Sequence, residues 1–210
     1  HEQRVQRLLA LVVASAKAAD LPAAHRTYLT TYFQQMEDTL VADFQGAFAT
    51  RKYLDYIDRA SWVDFHLLNV FSSNFDAFER SAYYSKDRGG KLVAGPLWDF
   101  DRSFGAATYY ATVPWDRWFV EGGVNFWQTG WWGWLTRDPE FMQDWVDRWQ
   151  SLRQGLLATT SLLALADSFS AAIGPAVLAR DAARQALVKL KARPAPSGAV
   201  STRPPAVRSP

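Results

Sequence analysis

The sequence predicts a mainly helical fold of the α+β kind with one short β-hairpin. Apolar residues recur at helical spacing in six segments. A Lys86-Asp87-Arg88-Gly89-Gly90 turn separates two short extended runs, Ala82–Ser85 and Lys91–Leu97, which reads as the hairpin. At 210 residues and 49% hydrophobic, the chain can bury one sizeable core, so residues 1–192 read as a single domain.

The first helix is expected over Glu2–Ala19, where Val5, Leu8, Leu9, Val12, Val13 and Ala16 form a stripe. A second begins near Asp20-Leu21-Pro22, since proline suits a first helical turn, and carries Leu29, Phe33, Met36 and Leu40 on one face. Gly46 and Thr50 mark a loop before Tyr53. Ser61-Trp62-Val63-Asp64 has the form of a capping box, so the third helix is expected from Ser61 to about Ser72. Between Ala106 and Gly133 the chain is rich in Trp, Tyr, Gly and Thr without a clear period, and reads as a long ordered loop. Asp138-Pro139-Glu140 combines a capping carboxylate, a proline in the first turn and an acid at the positive end of the helix dipole. That helix carries Phe141, Trp145, Trp149 and Leu152. Further helices are expected over Ser161–Ile173 and from Pro175 to about Lys191. The Pro/Ser/Ala-rich stretch 193–210 reads as a disordered tail.

Composition excludes several functions. Of the 23 basic residues, Arg193, Arg203 and Arg208 lie in the tail, which leaves 20 against 21 acidic residues over 1–192. No basic surface for nucleic acid is therefore expected. The absence of cysteine removes thiol chemistry and Cys-ligated zinc. The apolar run Leu8–Ala14 is too short to span a bilayer. Three scattered histidines, His1, His25 and His66, support neither a zinc site nor a Ser-His-Asp triad, and His66 reads as a packed helical residue.

The chemistry-bearing residues fall in two places. Asn74-Phe75-Asp76 follows the third helix, with Ser81 five residues after Asp76. Beyond the hairpin comes Gly95-Pro96-Leu97-Trp98-Asp99-Phe100-Asp101-Arg102-Ser103-Phe104-Gly105. If the strand continues, Asp99 and Asp101 share one face, with Phe100 on the other. Three carboxylates and an amide around a short hairpin can form an oxygen-rich pocket for a hard divalent cation and a phosphate. Asp and Asn are also common turn formers and caps, which is the plain structural reading of both motifs. Arg102 either faces a phosphate or pairs with Asp101, and Lys86 and Lys91 read as solvated turn charges. Of the ten tryptophans, Trp131, Trp132, Trp134, Trp145 and Trp149 read as core, while Trp115 and Trp118 are candidates for an exposed acceptor groove.

The stretch Tyr53–Gly105 resembles the CotH kinase family, which is named for a spore-coat protein and consists of atypical, secreted-type protein kinases. The matching residues are Tyr56-Ile57-Asp58, Ser61-Trp62-Val63-Asp64-Phe65, Asn74-Phe75-Asp76-Ala77-Phe78, Tyr83-Tyr84-Ser85-Lys86-Asp87, Lys91-Leu92, Pro96-Leu97-Trp98-Asp99-Phe100-Asp101 and Phe104-Gly105. Trp132, Leu135, Asp138-Pro139, Phe141 and Arg148-Trp149 continue the likeness.

The resemblance implies a kinase-like C-terminal lobe whose nucleotide-gripping N-terminal half is not in this chain. It also implies ATP with magnesium or manganese as cofactors, and a surface or coat protein as the substrate whose Ser/Thr hydroxyls accept the phosphoryl group. No nucleic acid and no membrane span are expected, and the location would be the cell surface or secreted. By the same likeness Asp76 is the catalytic base and Asp99 the catalytic metal ligand. Asp101 is a second metal ligand, and Asn74, Ser81, Asp101 and Arg102 hold the nucleotide and metal. Ser81 stands where many relatives carry asparagine, and Val70 where the family helix often carries glutamate. A non-catalytic surface or scaffold domain that binds through its aromatic loop is the alternative. A carboxylate-pair glycoside hydrolase is a weaker one.

Overall fold

The computed structural model describes residues 21–78, 80–104 and 125–182, and they form a mainly helical fold with one two-stranded antiparallel hairpin. The expected helix over Glu2–Ala19, the loop residues Trp115 and Trp118, and the tail 193–210 lie outside the described residues.

Helix α1 spans Ala23–Gln45 directly after Pro22, and its buried face carries Phe33, Met36 and Leu40 as the periodicity predicts. It ends at Gly46. The chain then reverses through Ala47, Phe48 and Arg51, all at positive φ. Non-glycine residues in the left-handed region need outside support, and buried Asp43 provides it. One Asp43 oxygen accepts from the Thr50 hydroxyl at 2.5 Å and the other from the Tyr53 backbone N–H at 2.8 Å. A 3-10 turn, Lys52–Asp55, leads on to the second helix.

Helix α2 spans Arg59–Phe71 and starts earlier than the Ser61 capping box predicts. Asp58 is the cap: its carboxylate accepts from the Ser61 N–H at 2.9 Å, while the Ser61 hydroxyl donates back to the Asp58 carbonyl at 2.8 Å. Ser61 thus fills the third position of the same device, because a charged carboxylate one turn upstream is the stronger acceptor for the orphan N–H groups. Trp62, Val63, Phe65, His66, Leu67, Asn69 and Val70 are buried along it.

Strands β1 (Tyr84–Lys86) and β2 (Leu92–Ala94) pair in the register Tyr84↔Ala94, Ser85↔Val93 and Lys86↔Leu92. Both are shorter than the sequence predicts. The second stops at Ala94, because Gly95 takes φ 128 and Pro96, joined to it by a cis peptide, offers no N–H to a ladder. The hairpin is tied to the rest of the fold at Leu92. Its N–H donates to the Tyr56 carbonyl, and its carbonyl accepts from the Asp58 N–H and the Trp62 indole. Lys86 is not a free turn charge: its ammonium lies 4.5 Å from the Tyr32 ring centroid.

Helix α3 (Trp132–Leu135) is a single turn, and α4 (Pro139–Arg153) begins as Asp138-Pro139-Glu140 predicts, with the Asp138 carboxylate accepting from the Glu140 N–H. Gly133 is required where α3 passes the preceding turn. A Cβ there would stand 2.6 Å from the Gln128 carbonyl oxygen. The core is aromatic: Trp131 stacks on Phe33 at 6.0 Å, Trp132 stacks on Phe65 at 6.0 Å, and Trp62 lies between the two indoles. The packing divides the fold into two units between Leu163 and Ala164. Helix α5 (Thr159–Ile173) has no buried residue, and a further helical stretch covers Pro175–Ala182. Among the described residues no single helix is long and apolar enough to cross a membrane.

His66 is fully buried among Phe78, Trp127, Trp132 and Trp145. The Trp145 indole can only donate, so Nδ1 of His66 accepts from it at 3.1 Å, and Nε2–H donates to the Phe126 carbonyl at 2.9 Å. That arrangement fixes the neutral tautomer, and burial pushes the imidazole down to about 4. The unfolded chain titrates near 6.5, so between these values it binds more protons than the fold does. The stabilisation is complete above pH ~6.5 and is lost as pH falls toward ~4, a change of about 3 kcal/mol. Denaturant titrations from pH 7 to 4 should show it, and His66→Gln should flatten that part of the profile. An unchanged slope in the variant would refute the assignment.

Candidate functional site

Both acidic motifs hang from the C-terminal end of α2. After Ser72, the chain passes through Ser73 at φ 54 into a 3-10 turn, Phe75–Phe78. The Asp76 carbonyl accepts from the N–H groups of Arg80 and Ser81 at 2.8 and 2.9 Å. This closure returns the Ser81 hydroxyl to the Asp76 side chain, which is why five residues separate the two. The second motif leaves the hairpin at Gly95, and its far end is fixed where the Phe104 N–H donates to the Ser72 carbonyl at 2.6 Å. Ser103 closes the loop internally, donating from its hydroxyl to the Phe100 carbonyl at 2.5 Å.

Asp99 sits at φ 63, a left-handed conformation that aspartate tolerates better than most residues but that still needs support. Here it turns the carboxylate toward Asp76. The Ser81 hydroxyl lies 2.7 Å from one Asp76 oxygen and 2.9 Å from one Asp99 oxygen. One hydroxyl carries one proton and can donate to only one of the two carboxylates at a time. The other carboxylate then faces a lone pair. Arg102 offsets part of the accumulated negative charge, with its guanidinium 3.7 Å from the second Asp76 oxygen. Its partner is thus Asp76, and Asp101 takes no part in the pair.

Asp76, Ser81, Asp99 and Arg102 therefore come together, and the other two predicted residues stand apart from them. Asp101 is exposed in the turn beyond Asp99. The expectation that Asp99 and Asp101 share a strand face does not hold, because pairing ends at Ala94 and Asp99 is left-handed. Asn74 is fully buried: its amide donates to the Asn69 side-chain oxygen at 2.9 Å, and its own side-chain oxygen has no partner among the described residues. Asn69 is in turn held by the Phe65 carbonyl. This amide pair under the site was not foreseen, although Asn69 lies one residue from the apolar Val70 and on the same buried side of α2.

The donor set fits a hard divalent cation. It consists of oxygens alone, and the hydroxyl shared between two carboxylates leaves an oxygen–oxygen contact that a cation would relieve. No group of three or more His, Cys, Asp or Glu side chains suited to a metal exists among the described residues. Magnesium bound alongside phosphates needs only one or two carboxylates, the remaining positions going to waters and phosphate oxygens.

The family profile described as CotH kinase protein matches residues 13–197. The chain belongs to the CotH kinase family. No curated protein and no solved structure matches it. Membership in the CotH family makes the chain a kinase-type phosphotransferase at the level of the family. The meeting of Asp76 with Asp99 lies within the matched residues.

Proposed function

We propose that this CotH-family chain supplies the carboxylates of a site for ATP- and divalent-metal-dependent phosphoryl transfer to Ser/Thr hydroxyls of a surface or coat protein outside the cell. The observation that carries the reading is the single hydroxyl held between Asp76 and Asp99. A hydroxyl at 2.7 Å from Asp76 is the contact an acceptor serine or threonine makes with a residue that orients it and takes its proton. Asp76 is assigned that role and Asp99, with the Ser81 hydroxyl, the metal. When bound, the metal neutralises charge on the nucleotide phosphates. Arg102 is half exposed beside Asp76 and can turn toward a phosphate. Phosphoryl transfer draws most of its acceleration from positioning and charge neutralisation, so few side chains suffice. Residues 1–192 are read as the kinase-like C-lobe that carries this site.

Thermal unfolding with manganese and ATP, separately and together, tests the reading. The wild-type chain should gain about 2.7 kcal/mol at a hundredfold excess over the dissociation constant, and Asp99→Asn should gain none. Equal shifts in both proteins would remove Asp99 from the metal site. The second reading, a scaffold domain without catalysis, is favoured by a specific observation. Trp98 is 50% exposed and Phe104 69% exposed, and in sequence they flank the Asp99–Arg102 part of the site. It predicts no shift in either protein.

A further inference from the structure

A cleft of about 330 Å³ opens between α1 and α3, elements that contribute nothing to the Asp76–Ser81–Asp99 site. Glu37 forms part of its wall and is only 7% exposed. The Trp131 indole donates to one Glu37 oxygen at 2.7 Å. No lysine, arginine or histidine lies within ion-pair distance of Glu37 among the described residues; the ion pairs of this fold all involve other carboxylates. The other Glu37 oxygen has no donor among the described residues, so it is open to one supplied from the cleft. Asp38, exposed at the rim, adds a second negative charge, and its other known contact is the neutral Gln34 amide. Leu40, Val41 and the Trp134 ring give the cleft an apolar lining.

We propose that this cleft binds a primary alkylammonium, the side chain of a lysine presented by a polypeptide. Two features fit that group. Trp131 occupies one Glu37 oxygen, which leaves a single-point acceptor suited to a compact ammonium and poorly suited to the two-pronged guanidinium. The apolar lining takes the four-carbon stem, as long cationic side chains lay their stems along apolar surface. The rim residues Asp38, Ala42 and Gln45 are exposed, so the cleft is open along the helix to a side chain presented by a polypeptide.

Isothermal titration of the full chain with the peptide acetyl-Gly-Lys-Gly-amide, together with indole N–H shifts in heteronuclear spectra, tests this. The lysine peptide should bind and move the Trp131 resonance, and the norleucine peptide should do neither. Glu37→Gln keeps the oxygen that accepts from Trp131, so the fold survives, and affinity should fall at least tenfold. Asp38→Asn should weaken binding less and flatten its salt dependence. Equal binding by Glu37→Gln, or no Trp131 shift with the wild type, overturns the site. An arginine peptide that binds as tightly overturns the ammonium assignment, and 1,5-diaminopentane that binds as tightly overturns the polypeptide source.

Discussion

Replacing Asp99 by asparagine should lower phosphoryl transfer by at least about a thousandfold while leaving the fold in place. Asparagine is isosteric, tolerates the left-handed conformation that Asp99 adopts, and can still accept from the Ser81 hydroxyl. What it loses is the charge. On the proposed reading that charge holds the metal, so the loss should appear in kcat and in the metal concentration needed for half-maximal rate. Asp76→Asn keeps the contact with Ser81 but removes the proton acceptor. Loss of a general base costs about a hundred- to ten-thousandfold, and here it should leave the metal requirement unchanged. The two variants thus separate roles that a single dead mutant would merge. The measurement is transfer of labelled γ-phosphoryl from ATP to a serine-containing protein acceptor, with metal titrated for each variant. A tenfold effect or less from Asp99→Asn would remove it from the reaction.

The fold could be read from the sequence where one local signal dominates. Asp138-Pro139-Glu140 starts α4 because cap, proline and dipole all favour the same residue. The α1 stripe of Phe33, Met36 and Leu40 follows from period alone. Ser61 misled by two residues because its hydroxyl takes part in the capping but as the partner of Asp58. The strand was carried too far because alternation past Gly95 has no ladder to support it. At the site, Asp76, Ser81 and Asp99 could be picked out by residue type and spacing, but not how they meet. Their approach depends on Asp99 turning left-handed and on Phe104 bonding to Ser72, both set by tertiary contacts. Arg102 faces Asp76 for the same reason: the turn at Asp101 carries it back across the loop.

The largest stability effect should come from Asp138→Ala, which was legible only as a helix cap. The same carboxylate is fully buried and joins parts of the chain 85 and 87 residues apart. Arg51 reaches both oxygens from Nε at 3.0 Å, and the Tyr53 hydroxyl donates to one of them at 2.7 Å. Burial and this carboxylate push the Tyr53 phenol far above its ordinary range, so it is a donor at neutral pH. Removing the carboxylate leaves the Tyr53 hydroxyl and the Arg51 guanidinium without their partner and uncaps α4 at once. Leaving the buried Tyr53 hydroxyl without its acceptor costs about 1–3 kcal/mol, and loss of the cap adds about 1. Arg51 is already paired with Glu140 at 3.0 Å and keeps that partner, so the total should fall toward the lower end. Urea unfolding checks this, with Asp138→Asn as the comparison. Asparagine keeps the cap and one acceptor for Tyr53, and should recover at least a third of the loss. An alanine effect under about 1 kcal/mol would reduce Asp138 to a cap alone.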